Sequence, residues 1–231
     1  MKRFWTEVTV APADGGFAIA LDGRRVRTPK RADLVVPSEG LAEAIAAEWA
    51  ACGEEVDPRA MKLTGMANAA IDHVAPDPEA FAAGLAKYAE SDLVCYRAEG
   101  PDALVRRQAE SWDVLLDWAR RRYDVDFACV AGVMHVPQPP ATVARLAHAV
   151  AVLNPFQLAA LSPLVTIGGS LVAALAVLEQ ALPAEAAWEA VSLDEQWQAE
   201  QWGADAEAAA ALDARRADFL TGARMLELVE A

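Results

Sequence analysis

Residues 184–205 read AEAAWEAVSLDEQWQAEQWGAD, a stretch with three tryptophans, a series of carboxylates and no lysine or arginine. Pro183 stands just before it and Gly203 near its end, so the expectation is one helix of about six turns. On a helical wheel Glu185, Glu189, Ser192, Gln196 and Glu200 form one polar arc. Trp188, Val191, Leu193, Trp197, Ala199 and Trp202 spread over most of the remainder. Two acids break the pattern: Asp194 falls within the apolar arc near Ala187, Gln198 and Gln201, and Glu195 sits on the side of Trp188, Val191 and Trp202. An unpaired carboxylate on such a face is costly, so both must be paired, hydrogen-bonded or held for a partner.

The chain around this stretch reads as helical from Ala141 to its end. Segments Ala141–Leu153, Pro155–Leu161, Leu164–Leu182 and Ala204–Val229 join the one already described. Between Arg145 and Arg215 there is no lysine or arginine, whereas Glu179, Glu185, Glu189, Asp194, Glu195, Glu200, Asp205, Glu207 and Asp213 all fall there. An acidic surface is therefore expected on the C-terminal helices. Upstream, Val136-Pro137-Gln138-Pro139-Pro140 cannot be helical in its middle and marks a corner. Residues 102–123 form a long amphipathic helix, with Leu104, Trp112, Leu115, Leu116 and Trp118 on one side and five arginines outside it.

The N-terminal end has the other periodicity. FWTEVTVA, GGFAIALDGRRVRTP and ADLVVP read as strands of a meander, with Asp14-Gly15-Gly16 and Asp22-Gly23 as turns. Ser38 caps a helix from Glu39 to about Ala51, a second helix follows an extended lead-in over 57–74, and a third begins at Asp77-Pro78. The fold class is α+β: an N-terminal β-containing domain over 1–80, then a mainly helical domain over 81–231. Short strands near 93–97 and 125–130 could join the N-terminal sheet.

Composition narrows the function. A hydrophobic fraction of 55% with 23% charged residues is that of a globular protein. A net charge of −14 disfavours nucleic acid and anionic membranes and favours a basic partner surface. Cys52, Cys95 and Cys129 are an odd number at wide spacing with no CxxC pair, which predicts reduced, buried thiols and no zinc site. The longest apolar run, Pro163–Leu178, carries Gly168, Gly169 and Ser170 and is slightly short for a span, so a buried core helix is expected and no stable membrane insertion. No secretory signal opens the chain.

Catalytic signatures are absent. Gly168-Gly169 fits close helix packing better than a phosphate loop, and Ser170 lies outside a nucleophile elbow. His73, His135 and His148 lie far apart; His135, beside the proline corner, can line a groove. Asp194 and Glu195, adjacent on a helix, diverge by about 100°, poor geometry for two acids acting on one bond. No cofactor or metal is expected. Tryptophans, acids and glutamines on one helix instead suit a groove that captures a partner segment.

Taken together, RFWTEVTV, AIAAEWAACGEEVDPRAMKLTGMANAAIDHV, YAESDLVCYRA, VMHVPQPP and above all LDEQWQAEQWG resemble the ATP12 family, from Arg3 to about Phe219. The resemblance implies an assembly chaperone, not an enzyme, that binds the free alpha subunit of the F-type ATP synthase and shields surface later covered by a beta subunit. It also implies a β-containing N-terminal domain and a helical C-terminal one. The family's important acid falls on Asp194, where many relatives carry glutamate, with Glu195 beside it. The partner-binding set is then Asp194, Glu195, Trp188, Trp197, Gln198 and Trp202, with His135 as a groove residue. Without a presequence, the resemblance implies a bacterial cytoplasmic form, expected to be a monomer when free.

Two other classes remain open at this point. An acidic adaptor for basic peptides would bind unrelated cationic proteins equally and lose them as salt rises. A carboxylate-dependent enzyme would bring Asp194 and Glu195 together on an enclosed pocket. If Asp194 is purely a contact, Asp194→Lys should abolish capture and leave stability nearly unchanged; if it pairs internally, Arg215 or Arg216 is the expected partner.

Overall fold

The computed structural model describes residues 2–203 and 205–230. The chain divides into two compact units. One comprises Met1–Pro78, Asn154–Ala160 and Arg224–Ala231, the other Glu79–Leu153 and Leu161–Ala223. No sequence signal announces that two later segments join the N-terminal unit.

The first unit is built on a sheet. Strand β1 (Val8–Ala13) pairs antiparallel with β2 (Gly16–Leu21), with Val8 opposite Leu21 and Ala13 opposite Gly16. The other edge of β2 is shared by β3 (Arg24–Arg25) and β4 (Val35–Val36). Asp22 and Gly23 both have positive φ (46° and 77°), as a tight hairpin turn matching the strand twist requires. The Asp22 carboxylate accepts from the Glu7 and Thr6 amides, which holds it below the usual carboxylate range. Ile19, Leu21, Leu34 and Val36 are buried, and α1 (Glu39–Ala50) packs on the sheet.

Helix α1 is capped as its sequence predicts, the Ser38 hydroxyl accepting from Leu41 N at 3.2 Å. Its Glu48 carboxylate in turn accepts from the Leu63 and Thr64 amides, both at 2.8 Å, at the start of α2 (Lys62–Ala69). Trp49 lies edge-on to Trp5 at 5.2 Å. The expected second helix is thus a 3₁₀ turn (Pro58–Ala60), α2 and a π turn (Ala70–Val74).

The second unit is helical, starting within α3 (Pro78–Ala86). The short segment after it does not extend the N-terminal sheet: β5 (Tyr96–Arg97) pairs in parallel with β6 (Val130–Ala131), separate from the first sheet. Between them runs α4 (Asp102–Tyr123), matching the predicted amphipathic helix, with Trp112, Leu116 and Ala119 buried. Next come α5 (Pro140–Ala151), α6 (Pro155–Gly168) and α7 (Leu171–Leu178). Helix α6 runs through Pro163, so the boundary expected between Leu161 and Leu164 does not fall there. The break falls later: Gly169 turns left-handed (φ 65°) and Ser170 caps α7 through Ala173 N at 3.0 Å. Gly168 serves packing, since a Cβ there would lie 3.3 Å from the Phe219 ring. Residues 171–176 are all buried, which makes α7 the central helix of this unit. Among the described residues no helix is long and apolar enough to cross a membrane.

Candidate functional site

The tryptophan-rich stretch folds as two helices, α8 (Ala184–Val191) and α9 (Leu193–Trp202), instead of the single one expected. Ser192 lies at the junction. Its hydroxyl donates back to Trp188 O at 2.6 Å and accepts from Gln196 Nε2 at 2.7 Å, a back-bonding serine of the kind that bends helices. Helix α10 (Ala206–Val229) follows, with Asp205 accepting from Glu207 N at 2.7 Å. Its expected first residue, Ala204, lies outside the described residues.

Side-chain hydrogen bonds tie α8 and α9 to α4. Trp112 Nε1 donates to Ala190 O at 2.8 Å, meeting a carbonyl near the end of α8. Gln108, buried in the apolar stripe of α4, accepts from Ala98 N at 2.8 Å and donates from Nε2 to Asp194 Oδ1 at 2.7 Å. The internal partner of Asp194 is therefore a neutral amide, not Arg215 or Arg216. Arg215 pairs with the neighbouring Glu195 at 2.7 Å. The two carboxylates diverge, Asp194 towards α4 and Glu195 towards α10, and share no pocket.

Helix α9 separates two open grooves. One, of about 620 Å³, lies against α4 and α8 and is lined by Arg107, Val114, Glu189 and Gln196 among others. The other, of about 510 Å³, runs between α9 and α10. Ala199, Ala208, Ala209 and Leu212 give it an apolar lining, and Glu195, Asp205 and Asp213 give it acids, against Arg215 as the cation. Trp202 stands at this groove with 78% of its surface exposed, unusual for so large an apolar ring.

The predicted residues separate accordingly. Glu195, Gln198 and Trp202 come together at the α9–α10 groove. Trp197 is half-buried and lines neither groove. Trp188 is 5% exposed and lies against Phe219 at 5.6 Å, so it is core and offers no contact surface. His135 is exposed away from both grooves, 3.2 Å from the Tyr96 hydroxyl.

The acids of the lysine- and arginine-free interval are also less bare than composition implies. Arg107 binds Glu200 at 2.6 Å and holds its carboxyl below the usual range. Arg122 and Tyr123 both bind Glu179. These cations come from α4, distant in sequence. Gln108, Arg107 and Leu212 are the site residues that sequence reading missed; only Gln108 had a signal, a polar side chain in step with Trp112, Leu115 and Leu116.

The family model described as ATP12 chaperone protein matches residues 2–120. The chain belongs to the ATP12 family. Relatives of this family extend the likeness beyond residue 120 to α8–α10. Atp12 from Paracoccus denitrificans is 45% identical, with a TM-score of 0.95 over 99% of this chain and 98% of that one. An aspartate-to-lysine mutant of P. denitrificans Atp12p matches equally, over 99% and 97%. The Atu1473 protein of Agrobacterium tumefaciens is 42% identical, with a TM-score of 0.94 over 98% of this chain and 85% of that one. Mitochondrial atp12 of Schizosaccharomyces pombe is 26% identical over 87% of this chain and 74% of its own length.

Proposed function

We propose that this ATP12 family chaperone captures the unassembled alpha subunit of the F-type ATP synthase in the α9–α10 groove. The observation that carries this reading is Trp202, exposed beside an apolar floor and a rim of three acids. An unassembled subunit exposes apolar surface that its neighbour later covers, and a chaperone must shield it and still let go. A single large ring with a shallow apolar lining gives that intermediate affinity. Glu195 and its neighbouring acids select a basic rim on the partner. Asp194 acts indirectly, holding α9 in place through Gln108.

The carboxylate-enzyme reading loses its geometric basis, because Asp194 and Glu195 face different helices. When free the protein is a cytoplasmic monomer, and its net charge of −14 turns nucleic acid away. Co-expression with the cognate alpha subunit tests the reading: a soluble one-to-one complex is expected. An alpha subunit that still aggregates in the presence of soluble chaperone contradicts it.

A further inference from the structure

The parallel ladder of β5 and β6 opens with Tyr96 opposite Val130, so Cys95, the last residue of a 3₁₀ turn (Leu93–Cys95), and Cys129 immediately precede the first paired positions, and their thiols contact each other. Neighbouring strands lie about 4.8 Å apart, so the residues that lead into the first pair are brought close. A disulfide bridges Cα atoms roughly 4.4–6.8 Å apart, a range open to two residues that flank a paired position. Both thiols are free here, Cys95 buried and Cys129 exposed to solvent. We propose that Cys95 and Cys129 are a reversible modification site, a dithiol that closes into a disulfide when a peroxide-class oxidant reaches Cys129.

The environment assigns the two sulfurs different parts. A hydrogen bond from Cys95 draws the Cys129 thiol down to about 6, against its burial and Asp113, and with Arg97 and Arg120 beside it. The same contact, with burial and the nearby Asp92, pushes the Cys95 thiol up. Cys129 is therefore the thiolate that reacts, and Cys95 keeps its proton and resolves. In the first step the Cys129 thiolate attacks one peroxide oxygen, the O–O bond breaks, and hydroxide leaves from a Cys129 sulfenic acid. In the second, the Cys95 sulfur attacks the Cys129 sulfur, the S–O bond breaks, and water departs with the Cys95 proton. Two thiols lose two electrons and two protons, and the peroxide is reduced to water.

Closure would clamp the base of the loop that carries Val133 and Met134, 94% and 79% exposed. It would also tie together the two ends of the segment that contains α4.

The test uses the full chain with Cys52→Ser, which removes the third thiol. Stoichiometric hydrogen peroxide should consume both remaining thiols, and peptide mapping should recover a Cys95–Cys129 bridge that dithiothreitol reverses. The oxidised form should melt higher, by on the order of 5–10 °C. Iodoacetamide labelling of Cys129 should be half-maximal near pH 6, and in a Cys95→Ala background move up towards about 8.5. Two intact thiols after treatment would overturn the proposal. So would an over-oxidised Cys129 beside a free Cys95, or a Cys129–Cys129 bridge between molecules.

Discussion

Gln108 and Asp194 show how a residue can look like a contact and work as a joint. Asp194 is half-buried with its Oδ1 on the Gln108 amide at 2.7 Å, so removing the acid strands a buried NH₂ group. Asp194→Ala should cost about 1–2 kcal/mol in urea unfolding, and Gln108→Ala somewhat more, because Ala98 N loses its acceptor too. The double variant should show a coupling of about 1 kcal/mol; strict additivity would mean that the bond is not made in solution. For the same reason Asp194→Lys, which opposes a cation to that amide, is expected to lower stability as well as capture. Glu195 differs: its pair with Arg215 is exposed on both sides, so Glu195→Ala should leave the melting temperature nearly unchanged. The sequence drew attention to both acids, because both fell on an apolar arc. It could not assign their partners, since Gln108 lies 86 residues away from Asp194 and Arg215 lies 20 from Glu195.

Element boundaries were legible where proline or a capping side chain marks them locally, as at Ser38, Pro78 and Pro140. They were illegible where a side chain turns on its own backbone. Ser192 reads as an ordinary polar wheel position, yet it stands at the junction of α8 and α9 with its hydroxyl on Trp188 O; Trp188 is buried and Trp202 exposed. Pro163 looked like a boundary and is absorbed within α6, whereas Gly169 makes the break. Asp92 holds the far side of that break. Its fully buried carboxylate accepts from Val172 N at 2.9 Å in the first turn of α7 and from Val94 N at 3.2 Å. Burial raises its pKa from 3.8 to about 6 despite those bonds. A carboxyl whose folded pKa lies above its unfolded value favours folding most below pH 4 and loses that contribution as pH rises through 6. Wild-type stability should therefore carry a component on the order of 3 kcal/mol that falls over this window. Asp92→Asn should remove that slope, although it also lowers stability at every pH; an unchanged slope in urea titrations from pH 4 to 7 would exclude Asp92 as its source. In the sheet, a Cβ on Gly16 would sit 2.1 Å from Val36 O at a φ of 146°. Gly16→Ala is expected to cost more than about 2 kcal/mol, read as a lower urea midpoint, because β4 cannot pair with β2 without moving.

At the scale of the whole molecule, a large negative charge becomes selective through its placement. Arginines of α4 hold Glu200 and Glu179, so part of the acidic surface is structural, and the rim of the α9–α10 groove keeps its acids with Arg215 against them. The N-terminal sheet and capped helices that fill the family-matched segment hold no part of this groove; AEW and VDPR mark a helix-capping glutamate and a 3₁₀ cap. The motif that gave the strongest resemblance, LDEQWQAEQWG, is the one that forms a groove wall. The central claim is that this wall captures the alpha subunit. It is tested most directly by titrating isolated alpha subunit into the wild type and into Trp202→Ala/Glu195→Lys, with melting temperatures measured alongside. Full burial of a ring this size is worth about 1.5–3 kcal/mol, so the tryptophan alone accounts for roughly 10- to 100-fold. The double variant is expected to melt within about 2 °C of wild type and to bind at least 100-fold more weakly. Wild-type affinity in a variant with wild-type melting would contradict it.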